Sequence, residues 1–280
     1  MLNKELINYF PGVPKVTGTI SVTYKRQINR ATVKNIENQI TEFLEEVSVL
    51  GINNFVVGLS GGLDSAVACA LIQSAMGAKA TAIIIEMDNP EAYSADTEFS
   101  IMLARKIGIT YEIINASKLY QEHLSVIKNN STLARVHLRS RLINNIIFQY
   151  ADNQMAMVVD TTDKSEDILK IYEESFRGHV APLLGFYKSE LLHIADYFSL
   201  NELKEKNSGC PELVDIDAFG AKWDVLDPLL HLLAERGVSC SEIAKNYSMD
   251  QEWLEALSKR ITTQPLRTKT RRIDIATARS

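Results

Sequence analysis

The sequence predicts an α/β fold built on a parallel sheet, and three observations carry that prediction. Short strand-like runs recur at residues 55–59, 80–87, 110–114 and 155–159. Stretches of helical composition or periodicity separate them, which is the alternation that specifies parallel pairing. The Thr81-Ala82-Ile83-Ile84-Ile85 run has almost no polar face, as a strand covered on both sides requires. The composition, 46% hydrophobic and 23% charged over 280 residues, supplies an ample core and excludes a disordered or fibrous chain.

Residues 1–30, with early prolines and a β-rich Thr19–Tyr24 stretch, are expected to form an arm used for packing or subunit contact. Residues 31–280 are expected to form one domain whose C-terminal part is helical from about residue 186. Within it, Ile36, Ile40, Phe43, Leu44 and Val47 mark one face of an amphipathic helix, and Gly51 follows as its stop. After the strand at 55–59, the Ser60-Gly61-Gly62 break and the Ala- and Leu-rich stretch 63–76 read as a tight turn and a helix. The second strand is followed by a helix ending at Gly108 and the third strand at 110–114. Leu142, Ile143, Ile146, Ile147 and Tyr150 place a helix before the fourth strand, which ends at Asp160. From Asp167 onward the pattern is mostly helical, with loops near 178–185 and 207–220.

The formal net charge of -5 offers no general attraction for nucleic acid or an anionic membrane, so no partner of either kind is expected. A helix-turn-helix lookalike at 239–260 is set aside on the same charge and on the α/β pattern before it. Cys69, Cys210 and Cys240 are odd in number, widely spaced and without a C-x-x-C, which suits a reducing cytoplasm better than a disulfide framework. Glu5 and early prolines stand where a signal peptide would be basic and then apolar, and no run of about 18 apolar residues occurs.

Ser60-Gly61-Gly62-Leu63-Asp64-Ser65 stands at the carboxyl end of a strand and the start of a helix, where open parallel sheets bind ligands. Two glycines allow close approach of the backbone to an anion, helix-terminal amides point at it, and the Ser60 and Ser65 hydroxyls add donors. Asp64 suits a divalent cation that bridges phosphate oxygens. The plainer reading is a turn in which Asp64 only complements the helix dipole. No G-x-x-x-x-G-K-[ST] is present.

The S-G-G-x-D-S string, lying between a strand and an Ala-rich helix, resembles the pyrophosphatase loop of the ATP pyrophosphatase superfamily. A second segment, Val158-Val159-Asp160-Thr161-Thr162-Asp163-Lys164-Ser165-Glu166, resembles the V-G-T-G-N-K-S-E loop of ammonia-dependent NAD synthetases, although it also reads as a capping box. Three further segments match in chain order. Arg139-Ser140-Arg141 resembles an Arg-x-Arg segment, Tyr187-Lys188-Ser189-Glu190 resembles Tyr-Lys-Thr-Gln, and Trp223 to Asp227 together with Ser258-Lys259-Arg260 and Pro265 resemble the family's C-terminal motifs. Read alone, the two arginines would be solvated helix residues.

The resemblance runs from about residue 33 to 266 and implies an adenine nucleotide alpha-hydrolase-like, Rossmann-like core. It implies ATP binding by Ser60, Gly61, Gly62, Asp64, Ser65, Thr161 and Lys188, and Mg2+ held by Asp64 and Glu166. Asp64, Lys164 and Lys188 would serve catalysis, and Arg139, Arg141, Asp163, Lys164, Lys259 and Arg260 the acid substrate. It further implies an ammonia-using carbon-nitrogen ligase that adenylates a carboxylate, foremost deamido-NAD, and acts as a homodimer, with a separate glutaminase as a possible ammonia source.

The departures lie on the acid-binding side. Asp160 and Thr162 replace the two glycines of the second loop, Ser258 replaces a histidine, and Cys210–Asp217 is a reduced form of a longer stretch. A Tyr-Gly-Asp-Gly segment is replaced by Ser175-Phe176-Arg177-Gly178-His179, in which Arg177 and His179 could grip an acid or simply be surface residues. Two alternatives follow: the same chemistry on another carboxylate, such as a sugar or secondary-metabolite acid, or a nucleotide-binding sensor without catalysis. RNA sulfur-transfer relatives fit less well, because a positive surface and paired cysteines are missing.

Overall fold

The structure is a computed structural model that describes residues 29–127, 131–170, 178–205, 209–210, 213–214 and 221–268. The arm at 1–30 therefore lies almost wholly outside the described residues, as does Arg177.

Helix α1 (Arg30–Ser48) is capped by Asn29, whose Oδ1 accepts from the Thr32 N–H at 3.0 Å. The core then alternates as predicted through β1 (Asn54–Gly58), α2 (Leu63–Met76), β2 (Ala80–Glu86), α3 (Ala95–Ile107) and β3 (Thr110–Asn115). Helices α4 (Ser117–Val126) and α5 (Thr132–Gln154) lead to β4 (Ala156–Val159). The fourth strand starts one residue later than the apolar run suggests: Met155, at φ 48°, is the left-handed residue that ends α5, so it caps a helix instead of opening a strand.

All four strands are parallel, in the order β3-β2-β1-β4. The chain moves outward from β1 to β3 and then crosses back, so the order reverses between β1 and β4. That reversal is the topological switch point, where loops leaving two neighbouring strands diverge and open a crevice. Val57 pairs with Val159, so the loops after β1 and β4 emerge level with each other. A parallel bridge from Val159 to Val180 extends the sheet past β4.

Strands β1, β2 and β4 are largely buried, whereas the edge strand β3 is half-exposed. Phe55, Val57 and Leu59 pack with the continuously buried Ala66–Ile72 stretch of α2, with α1, and with Leu191, Ile194 and Ala195. Small side chains on α2 let it lie close to the sheet, which fixes the height of its N-terminal turn over β1.

The remaining described residues are mostly helical: α6 (Lys164–Leu169), α7 (Lys188–Tyr197), α8 (Trp223–Leu230), a π-helical turn (His231–Glu235), α9 (Cys240–Tyr247) and α10 (Gln251–Thr268). A two-stranded ribbon, Gly209–Cys210 against Leu213–Val214, interrupts them. Leu226, Leu229, Leu230, Ile243, Trp253, Leu254 and Leu257 form a second apolar cluster with Leu169 and Tyr187. The 239–260 lookalike thus forms two helices whose apolar faces are committed to this cluster. Helix α7 adds Leu191 to the sheet core while Tyr187 before it joins the second, so Lys188 stands at the seam of the two. No helix among the described residues is long and apolar enough to cross a membrane.

Candidate active site

The loop after β1 is shaped by its own hydroxyls. Leu59 donates to the Ile83 carbonyl at 2.9 Å and carries the strand pairing past Gly58. Gly61 then takes φ 79°, a conformation that costs a side chain-bearing residue steric strain. Ser65 Oγ accepts from the Ser60 N–H at 3.2 Å and donates to the Gly62 carbonyl at 3.0 Å, pinning the start of α2 against the loop. Gly62 is the N-cap of α2 and offers no side-chain cap, which leaves the first-turn amides able to donate to an anion.

The loop after β4 faces it. Asp163 caps α6: its Oδ1 accepts from the Glu166 N–H at 2.8 Å, and Glu166 Oε2 accepts from the Asp163 N–H at 3.5 Å. The capping box and the site are therefore built from the same residues. Glu166 Oε1 remains available and meets Lys188 Nζ at 2.7 Å. Lys188 Nζ also lies 2.9 Å from Asp64 Oδ2, 3.4 Å from Asp163 Oδ2 and 5.1 Å from the centre of the Trp223 ring.

Lys188 is buried, as is Asp163. One oxygen each of Asp64, Asp163 and Glu166 lie within 4.8 Å of one another, a grouping that could hold a metal ion. Asp163 Oδ2 and Asp64 Oδ1 are buried without a hydrogen-bond partner, so the donor set has coordination capacity left over and fits a hard divalent cation. Burial pushes the Asp163 carboxyl well above the usual carboxylate range; the Lys188 ammonium opposes this, while the Glu166 and Asp64 carboxylates reinforce it.

Asp227 holds this arrangement together. It is fully buried, and its Oδ1 accepts from Ser165 Oγ at 2.7 Å while its Oδ2 accepts from the Ser189 N–H at 2.8 Å. Ser165 Oγ in turn accepts from the Lys188 N–H at 2.9 Å. One carboxylate therefore ties the N-termini of α6 and α7 together and sets Lys188 opposite Glu166. Burial raises the Asp227 carboxyl, and the Ser165 and Ser189 donors oppose that shift. The signal for this role is an acidic residue inside the apolar run Val225-Leu226-Asp227-Pro228-Leu229.

The remaining predicted residues fall outside the carboxylate group. Lys164 turns away from Asp163 and pairs with Glu235, its Nζ lying 4.6 Å from the centre of the Tyr187 ring. Glu235, which the sequence reading missed, also accepts from Tyr187 Oη at 2.9 Å and pairs with His231 Nδ1 at 2.6 Å. Burial alone would raise the Glu235 carboxyl, but Lys164, His231 and Tyr187 hold it at about 2.

Arg139 forms a two-point pair with Asp88, at 2.8 and 2.7 Å, and lies 5.7 Å from the centre of the Tyr120 ring. Arg141 is exposed further along α5. Thr161 is half-buried in the loop after β4, Lys259 is exposed on α10, and Arg260 Nε donates to the Leu169 carbonyl at 3.2 Å, where α6 ends.

Asp160 has a structural occupation. Its Oδ1 accepts from the Thr162 N–H at 2.8 Å, its Oδ2 from the Gly178 N–H at 3.3 Å, and its own N–H donates to the Val180 carbonyl at 2.8 Å. The carboxylate that replaces a glycine therefore turns toward the sheet edge and braces the loop. His179 Nδ1 accepts from the Val158 N–H at 2.9 Å, so this ring nitrogen serves the edge of β4.

The NAD synthase family profile matches residues 33–270, nearly all of the described chain. The chain belongs to the NAD synthase family. Its relatives include the NH(3)-dependent NAD(+) synthetase of Pyrococcus furiosus, 27% identical over 241 residues that cover 83% of this chain and 91% of that protein. The Methanosarcina acetivorans NH(3)-dependent NAD(+) synthetase is 27% identical over 238 residues, covering 80% of this chain and 91% of that protein.

Among solved structures, the NH3-dependent NAD synthetase of Campylobacter jejuni superposes with a TM-score of 0.68 at 20% identity, covering 86% of this chain and 98% of that one. The NMN synthetase of Francisella tularensis superposes with a TM-score of 0.69 at 20% identity, over 87% and 98%. These two likenesses support the α/β nucleotide-binding fold of the NAD synthase family.

Proposed function

We propose that the chain is an ATP-dependent carbon-nitrogen ligase that converts deamido-NAD to NAD with ammonia, forming AMP and pyrophosphate. The observation that carries this reading is the buried Lys188, set among Asp64, Asp163 and Glu166 beside the Ser60–Ser65 loop at the switch point of the sheet. Family membership and the NH(3)-dependent relatives supply the direction of the chemistry.

A carboxylate lacks a leaving group, and adenylation provides one. A substrate carboxylate oxygen attacks the α-phosphorus of ATP, the bond from that phosphorus to the bridging oxygen breaks, and pyrophosphate departs. Ammonia then attacks the acyl carbon, the bond to the AMP oxygen breaks, and nitrogen loses a proton. The amides of Leu63, Asp64 and Ser65, with the Ser60 and Ser65 hydroxyls, would receive the departing pyrophosphate. Lys188 would neutralise phosphate charge, and Thr161 would meet ATP from the facing loop.

Asp64 and Glu166 would hold Mg2+, which when bound draws charge from the triphosphate oxygens. Arg139, Arg141, Lys164, Lys259 and Arg260 are assigned to the acid substrate; Lys164 would have to leave Glu235 to reach it. Arg177 shares that assignment on sequence alone. Further parts of the proposal are a single domain at 31–280 with an N-terminal arm, a homodimer, a cytoplasmic setting, and nitrogen drawn as free ammonia or from a separate glutaminase.

The test is an incubation of the purified chain with Mg2+, ATP and ammonium, with and without deamido-NAD. Equal amounts of NAD and pyrophosphate, both dependent on deamido-NAD, are expected. Protein that binds ATP yet releases no additional pyrophosphate with deamido-NAD would refute the assignment.

A further inference from the structure

The loop motif quoted for the NAD synthetases, V-G-T-G-N-K-S-E, has asparagine where this chain has Asp163. The difference is one atom in shape but a full charge in chemistry. An amide could cap α6 as well as a carboxylate does, since capping uses only Oδ1. The second oxygen is what the aspartate adds, and that oxygen is buried, lacks a hydrogen-bond partner and sits within 4.8 Å of ligand oxygens from Asp64 and Glu166. Asp64 contributes a second buried oxygen without a hydrogen-bond partner.

Charge counting gives the same direction. Ionising all three carboxylates against the one Lys188 ammonium would leave two negative charges uncompensated around the buried Asp163 and Lys188, which is costly. A divalent cation would cancel them. Mg2+ sites in phosphoryl chemistry commonly use one or two carboxylates and complete their shell with water and the nucleotide's own phosphates. A third carboxylate removes that dependence on the nucleotide. Lys188 Nζ lies 2.7 to 3.4 Å from all three carboxylates, so it stands where such an ion would be.

We propose that Asp163 completes a three-carboxylate cation site with Asp64 and Glu166, that this site takes a divalent ion before ATP arrives, and that the ion displaces the Lys188 ammonium. The proposal rests on the reading of Asp64 and Glu166 as metal ligands. The displaced ammonium then faces the Ser60–Ser65 loop, where phosphate would arrive. Trp223 reports the movement, because its ring centre lies 5.1 Å from Lys188 Nζ.

The experiment is a Mn2+ titration of the full chain without nucleotide, with free Mn2+ counted by its paramagnetic resonance. One ion per chain is expected for the wild type. Asp163→Asn, which keeps the helix cap, should bind at least tenfold more weakly while retaining its melting temperature in the absence of metal. Lys188→Gln, which removes the competing cation, should bind at least as tightly as the wild type. Mg2+ should shift Trp223 emission in the wild type and leave a Trp223→Phe variant unchanged.

No binding without ATP, or equal affinity in Asp163→Asn, would overturn the three-carboxylate site. Weaker binding by Lys188→Gln, or a silent Trp223, would overturn the displacement. NAD formation, followed in separate tubes, distinguishes the two readings: NAD without nucleotide-free Mn2+ binding sinks this inference alone. Mn2+ binding without NAD sinks the activity alone.

Discussion

Glu86 ends β2 and disappears entirely from solvent, and its replacement should be among the most disruptive single-atom changes near the site. Its Oε1 accepts from the Asp88 and Asn89 N–H groups at 2.7 and 3.0 Å, and its Oε2 accepts from the Ser94 N–H at 2.6 Å. Burial would raise this carboxyl, yet the three backbone donors outweigh burial and bring it from 4.5 to about 2. At about 1.4 kcal/mol for each pKa unit, the ionised carboxylate stabilises the fold by about 3 kcal/mol at neutral pH.

Glu86→Gln leaves the shape but turns one acceptor into a donor facing a backbone N–H. The expected loss is about 3 kcal/mol at pH 7, or roughly 6 to 12 °C in Tm for a chain of this size. Because the folded value lies below the unfolded one, the contribution is present above the unfolded value of 4.5 and is lost as pH falls through about 2. Urea denaturation of both proteins at pH 7, 4 and 2.5 measures this directly, and the gap should narrow steadily as pH falls. A gap that is constant with pH, or absent at pH 7, would refute the reasoning. The same loop carries Asp88, the partner of Arg139, so the variant should also raise the KM for the acid substrate.

Three other perturbations test separate parts of the account. A Cβ at Gly178 would lie 2.5 Å from the Asp160 nitrogen and 2.8 Å from the Val158 carbonyl oxygen, so Gly178→Ala should cost about 1–3 kcal/mol; an unchanged Tm would remove the claimed close approach. Asp227→Ala leaves the Ser165 hydroxyl and the Ser189 N–H without their buried acceptor and should lower unfolding free energy by about 2–5 kcal/mol, with Asp227→Asn in between. Equal stability of the two variants would argue against the paired-acceptor role. Asp64→Ala should abolish pyrophosphate release while the chain keeps its fold, since Lys188 retains its ion pairs with Asp163 and Glu166 when the Asp64 pair is lost; full activity would remove its proposed role.

Much of this arrangement was legible locally. Apolar runs located β1, β2 and β4 because a strand buried on both faces leaves little room for polar side chains, the Ile113-Ile114 pair marked the half-exposed edge strand β3, and the Gly-rich break located the turn before α2. Asp64, Glu166 and Lys188 were named from motifs far apart in the chain, and the fold brings them to one point because β1 and β4 are neighbours at the switch point.

What was not legible depends on long-range partners. Asp227 and Ser165 are 62 residues apart, and no periodicity links a carboxylate on α8 to a hydroxyl on α6. Lys164 read as a substrate ligand because Glu235 and Tyr187, which hold it in this structure, lie on other elements. Asp160 stood out only as a replacement for a loop glycine, because the three-dimensional path of Gly178 to Val180 is what reveals where its carboxylate turns. Met155 belonged to an apolar run, but a left-handed cap is a property of where α5 ends and not of its own side chain.

The measurement that tests the central claim most directly follows oxygen through the reaction. Deamido-NAD labelled with 18O in its carboxylate is incubated with the chain, ATP, a divalent cation and ammonium, and the AMP product is weighed by mass spectrometry. Attack of the carboxylate on the α-phosphorus, followed by ammonia at the acyl carbon, leaves one substrate oxygen on the phosphorus, so AMP carrying one 18O is predicted. NAD formed together with unlabelled AMP would contradict the account.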